Sequence, residues 1–150
     1  MKYKTVPLKQ PLKQFQIDNC RQWVEALRSG KYSQIDGVLA SENGSFCCLG
    51  VACEIKNMAR VIQDDGILGF KYLNNINDSM PDVKYFKFTY GFDAKSRLVY
   101  NFNHGTHMLS ELNDNARFDF NAIAFVIEAA CINRVAIEFS YDRASKELKV

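Results

Sequence analysis

The sequence predicts an α+β fold, a small antiparallel sheet with hairpins packed by about three main helices. Three observations carry this. Apolar side chains recur three and four residues apart over residues 17–28, 48–58 and 119–130, the spacing of one helix face. Strand-like runs punctuated by turn residues occupy residues 37–47, 83–102 and 135–141. These helices and hairpins mix without the strand–helix–strand order of a doubly wound sheet.

In chain order, residues 1–14 hold Lys2, Lys4, Lys9 and Lys13 with no acid, and Pro7 and Pro11 interrupt them. They read as an extended, solvated basic arm ahead of a single domain over residues 15–150. A first helix from Ile17 to Arg28 carries Cys20, Trp23, Val24 and Leu27 on one face, and Ser29-Gly30 stops it. A hairpin follows, Gly37–Ala40 against Ser45–Cys47, with Asn43-Gly44 supplying positive φ angles. The next helix runs from Cys48 to Met58, with Leu49, Ala52, Cys53 and Ile55 inward. Residues 59–82 give only a turn signal at Asp64-Asp65-Gly66, a short apolar run at Ile67–Tyr72 and a polar loop at Asn74–Asp78.

Residues 83–102 read as an aromatic hairpin, with Val83–Tyr90 and Arg97–Phe102 flanking a turn at Asp93–Ser96. Seven aromatics fall there, enough to make the hairpin a candidate edge for a homo-oligomer if they are exposed. Thr106 is placed to cap a short helix with Met108, Leu109 and Leu112, and Asp119 to cap the last helix. Val135–Tyr141 alternates as a strand, and Lys146–Val150 is placed to pair back to it.

Composition excludes several classes. With 47% hydrophobic and 24% charged residues, the 150-residue chain suits one globular core rather than disorder. A net charge of +2 is too small to point to nucleic acid. The N-terminus lacks a signal-peptide h-region, and no run reaches the roughly 18 apolar residues of a membrane span. Five cysteines, an odd count with Cys47 and Cys48 adjacent, do not form a secreted disulfide framework. A cytoplasmic protein with reduced thiols is expected.

One set of residues is distinctive as a pattern. It comprises Trp23-x-x-Ala26-Leu27-x-Ser29-Gly30-Lys31-Tyr32-x-Gln34, Gly37-x-Leu39, and Phe46-Cys-Cys-Leu-Gly-Val-Ala-Cys53. Leu112-Asn113-Asp114 and Ile123-Ala124-x-x-Ile127-Glu128 complete it. The set resembles a family of small uncharacterised proteins of tailed bacteriophages and prophages. The resemblance covers residues 20–56 and 108–128. It implies an accessory protein that binds a host protein or a small, nucleotide-like ligand, in a context such as counter-defence. That step rests on analogy.

Four constellations bear on function. Cys47 or Cys48, at the start of a helix, has the placement of a nucleophile, with His104 or His107 as base and Asn113 or Asp114 as orienter. The surrounding motif of the known cysteine hydrolases is missing, and a packing joint with Gly50 allowing close approach is the plainer expectation. Cys47, Cys48, Cys53, His104 and His107 are metal-ligand types, yet the chain has no Cys-x-x-Cys pair, so no metal or cofactor is expected. Ser29, Lys31, Tyr32, Gln34, Asn113 and Asp114 are turn and helix-end residues that would form a polar pocket for a small anionic ligand if those ends converge. Lys84–Tyr90 interleaves lysines with aromatics, the ingredients of a single-strand nucleic-acid platform, but the small net charge opposes it.

Overall fold

The computed structural model describes residues 3–94, 97–101, 105–114 and 118–139. The fold is α+β. In chain order the first half holds β1 (Tyr3–Pro7), α1 (Gln14–Arg28), β2 (Ser33–Gln34), β3 (Ala40–Ser41), β4 (Ser45–Phe46) and α2 (Cys48–Glu54). Then come β5 (Ala59–Ile62), β6 (Ile67–Tyr72), β7 (Asn75–Asn77) and α3 (Val83–Tyr90). The remainder is β8 (Arg97–Asn101), β9 (Gly105–Met108), α4 (Leu109–Asp114), α5 (Phe120–Cys131) and β10 (Val135–Phe139).

The strands form two sheets. One has the order β1-β10-β8-β9, and the other β2-β4-β3-β6-β5 with β7 also on β6. Most pairs are antiparallel, but β10–β8 and β2–β4 are parallel, so both sheets are mixed. A single cluster of buried side chains runs from Trp23 on α1 through α2 to Phe70 on β6 and Ile137 on β10.

Helix α1 buries the expected stripe of Cys20, Trp23, Val24 and Leu27 and packs along α5. It starts earlier than predicted, because the Gln16 side chain reaches back to accept from Lys13 N at 2.9 Å. Trp23 is fully buried beside Phe86, Tyr90 and Phe92, with ring centroids 4.9–6.3 Å away. Its Nε1 donates to the Cys48 carbonyl at 2.9 Å, tying α1 to α2. Helix α5 is capped as predicted, with the Asp119 carboxylate accepting from Ala122 N at 2.8 Å.

Several expectations are corrected. The N-terminal segment, extended and mostly exposed, is also paired: Tyr3–Pro7 runs antiparallel to β10 along its whole length, and Tyr3 meets Phe125 edge-on at 5.4 Å. Helix α2 ends at Glu54 rather than Met58, because Asn57 turns left-handed at φ 55°. The unread stretch 59–82 holds a β-meander, β5–β6–β7, with Gly66 at φ 80° in its first turn.

The aromatic hairpin at 83–102 is the largest correction. Val83–Tyr90 is helix α3, while Arg97–Asn101 is a strand whose partners are β9 and β10. Local punctuation outweighs the strand propensity of the aromatics. The Asp82 carboxylate accepts from Tyr85 N at 3.0 Å, and Gly91, at φ 87°, closes the far end by donating to Lys87 O at 2.9 Å. Phe86, Thr89 and Tyr90 then face inward and Phe88 faces out. The hairpin offered as a candidate oligomer edge is therefore not formed. Gly105–Met108 is likewise a strand, β9, so Thr106 does not cap the following helix. Lys146–Val150 lies outside the described residues.

Candidate functional site

The Cys-Cys-Leu-Gly block forms the start of α2, a helix in which Cys48, Leu49, Gly50, Val51, Ala52 and Cys53 are all buried. A helix apolar all round belongs inside a core. Its approach to the neighbouring sheet is extremely close. A Cβ at Gly50 would lie 1.8 Å from the Leu39 carbonyl oxygen and 2.7 Å from its carbon. Only glycine permits that contact, as the sequence suggested.

The donors at the start of this helix are taken by the protein's own atoms. Cys47 is the N-cap, and its Sγ accepts from Gly50 N at 3.3 Å. Cys48 N donates to Asn113 Oδ1 at 3.2 Å. The Cys48 thiol points at the Leu109 carbonyl, 3.7 Å away. Burial pushes the Cys47 thiol up to about 12, with the Asp114 charge adding to the rise. Burial also raises Cys48 well above its ordinary value, with the nearby Cys47 and Asp114 contributing. Both thiols therefore stay protonated at neutral pH, the reverse of what a nucleophile needs. His107 sits on β9 opposite Val99, not at a helix start, and His104 lies outside the described residues.

Asn113 is the hub of the polar set. It is buried, and its Oδ1 accepts from Gln34 Nε2 at 2.9 Å as well as from Cys48 N. Its Nδ2 donates to Ile35 O at 2.9 Å and to Asp114 Oδ1 at 2.8 Å. Gln34 Nε2 also donates to Phe118 O at 2.8 Å. Thus Gln34, Asn113 and Asp114 do converge on the helix start, but their hydrogen bonds run inward and join three chain segments.

The other three predicted residues are placed elsewhere. Ser29 caps α1, with Oγ donating to Ala26 O at 2.6 Å and accepting from Lys31 N at 3.2 Å. It lines an open cleft of about 650 Å³ between α1 and α5, bridged by Arg28–Glu128 at 2.5 Å. Lys31 is exposed. Tyr32 packs edge-on against Phe46 at 5.3 Å. Among the described residues no group of three or more His, Cys, Asp or Glu is arranged to hold a metal ion.

Residues 16–66 are similar to a domain of unknown function, DUF8296. The matched stretch contains most of α1, the β3–β4 turn, α2 and the joint at Gly50. Asn113 and α5, which complete that joint, lie beyond it. No curated protein and no solved structure matches this chain.

Sequence reasoning missed a second feature, the large apolar side chains left at the surface. Phe88 is 69% exposed on α3, and Val83 and Phe15 lie in the open nearby in sequence or space. Leu73, at 75%, and Ile62 and Ile76 stand out from the meander. The signal was present: a helical wheel drawn through 83–90 places Lys84, Lys87 and Phe88 on one outer face.

Proposed function

We propose that this chain is a non-enzymatic accessory protein that acts by binding a partner protein through its exposed apolar side chains. One contrast carries the reading. The groups suited to chemistry at the start of α2 are buried and committed internally, whereas Phe15, Ile62, Leu73, Ile76, Val83 and Phe88 are large, apolar and exposed. Clustered exposed apolar residues mark interaction surfaces, because covering them removes area from water at about 25 cal/mol per Å². The resemblance to tailed-phage proteins supports a host protein as the partner and the host cytosol as the setting. A role in counter-defence is consistent with that setting.

Two sets of variants test this by affinity capture from host lysate. Leu73→Asp and Phe88→Asp place charge on the exposed apolar positions, and Cys48→Ala removes a thiol. Capture that survives Cys48→Ala and falls with the aspartates agrees with the proposal. Capture lost with the thiol and kept with the aspartates contradicts it.

A further inference from the structure

The exposed apolar residues fall in two places, and one of them is bordered by three exposed lysines. Phe15, at the start of α1, packs on Phe88 of α3 with centroids 5.3 Å apart and planes at 43°. The two elements are locked together beneath the rings. Gln16 Nε2 donates to Phe88 O at 3.0 Å, and Asn19 Nδ2 donates to Thr89 O at 2.8 Å. Phe88 nonetheless remains 69% exposed and Phe15 39% exposed.

Lysines border this pair. Lys84 lies one turn before Phe88 on the same helix face, and Lys87 lies beside it. Both are exposed, and neither has an ion pair or hydrogen bond among the described residues. Lys13 is exposed two residues ahead of Phe15. Two acids lie near: exposed Asp18, one turn after Phe15, accepts from Gln14 Nε2 at 2.9 Å, and Asp82 caps α3 by accepting from Tyr85 N at 3.0 Å, which leaves the three lysines in excess.

We infer that the Phe15–Phe88 ridge is a docking site for an acidic protein segment carrying an apolar anchor. This rests on the binding function proposed above and names the chemistry of its partner. The anchor covers the rings while carboxylates meet Lys84, Lys87 and Lys13, so one ligand satisfies both features. Single-stranded nucleic acid fits less well. The rings press against each other at an angle, so no base can enter between them. A net charge of +2 also gives little purchase on a phosphate backbone.

The test selects short random peptides displayed on yeast against the whole protein. Enriched peptides should place Asp or Glu around Leu, Phe or Trp. Their affinity should fall about tenfold or more on Phe88→Ala and on Lys84→Glu with Lys87→Glu, and weaken with added salt. Leu73→Asp should leave it unchanged. All these positions are exposed, and the buried Trp23 fluorescence confirms that each variant is folded. Enriched peptides that are not acidic overturn the inference, as does retention of oligo(dT) lost on the same substitutions. Peptides whose binding maps to Leu73 and Ile76 overturn it while leaving the binding function standing. If no peptide binds the native protein, both fall.

Discussion

Gly50→Ala places one methyl group against a backbone carbonyl that has nowhere to go. The new Cβ would sit 1.8 Å from Leu39 O. Leu39 is held on both sides: its N–H donates to Asp78 O at 2.7 Å, and its carbonyl accepts from Cys47 N at 3.0 Å. Its side chain is fully buried. Overpacking costs about 1–3 kcal/mol, and a clash onto backbone belongs at the upper end. Breaking the Cys47–Leu39 hydrogen bond adds about 1 kcal/mol. The better helix propensity of alanine returns about 1 kcal/mol. The net expectation is a loss of about 3 kcal/mol, or a Tm lower by roughly 6–12 °C in a domain of this size. Trp23, the single tryptophan, is buried against α2 and reports unfolding by a red shift of its emission. A Gly50→Ala variant with unchanged or raised urea midpoint would refute the argument from close approach.

Three further predictions concern the same joint and α3. Asn113→Ala leaves Cys48 N, Gln34 and the Ile35 carbonyl without their partner, and should cost about 3 kcal/mol in urea unfolding, whereas exposed Lys31→Ala should stay within about 0.5 kcal/mol. Stability should fall in alkali. The folded Cys47 value, about 12, exceeds the unfolded value of about 8.5, so the stabilisation is complete below that lower pH and is lost as pH rises toward the upper one. Cys47→Ser keeps an N-cap acceptor without a titrating thiol, and should lessen the fall in urea midpoint with pH without abolishing it, because burial also raises Cys48, Cys53, Tyr90 and Cys131. Asp82→Ala removes the α3 cap and should cost about 1 kcal/mol, while the same change in a strand end would cost little.

Much of the fold was legible where local signals agreed with tertiary demand. The stripe of α1, the turn at Gly44 and the Asp119 cap were each readable, because cap and turn chemistry acts within a few residues. Only Gly44, at φ 88°, takes the positive φ expected of Asn43-Gly44, and Asn43 instead accepts from Ser45 N. Helix α3 was misread because aromatic strand propensity was weighed above Asp82 and Gly91, the two residues that bound the helix. The meander was hidden because Gly69 breaks its alternation. A Cβ there would meet Ile76 Cγ2 at 2.2 Å, so the glycine answers a contact with another strand. At the candidate site, sequence brought Gln34, Asn113 and Asp114 to the right place but could not show their direction. Whether an amide faces a ligand or another chain segment depends on contacts between residues some 79 positions apart, and the local pattern does not encode those.

Alkylation of the native protein with iodoacetamide near neutral pH, read by mass spectrometry at Cys47 and Cys48, separates a binding protein from a thiol enzyme. Burial and raised thiol values predict protection of both cysteines until urea unfolds the chain, at a rate set by opening of the fold. Rapid stoichiometric labelling of either one in the folded state would show an accessible thiolate at the head of α2, and would contradict the assignment of that site to packing.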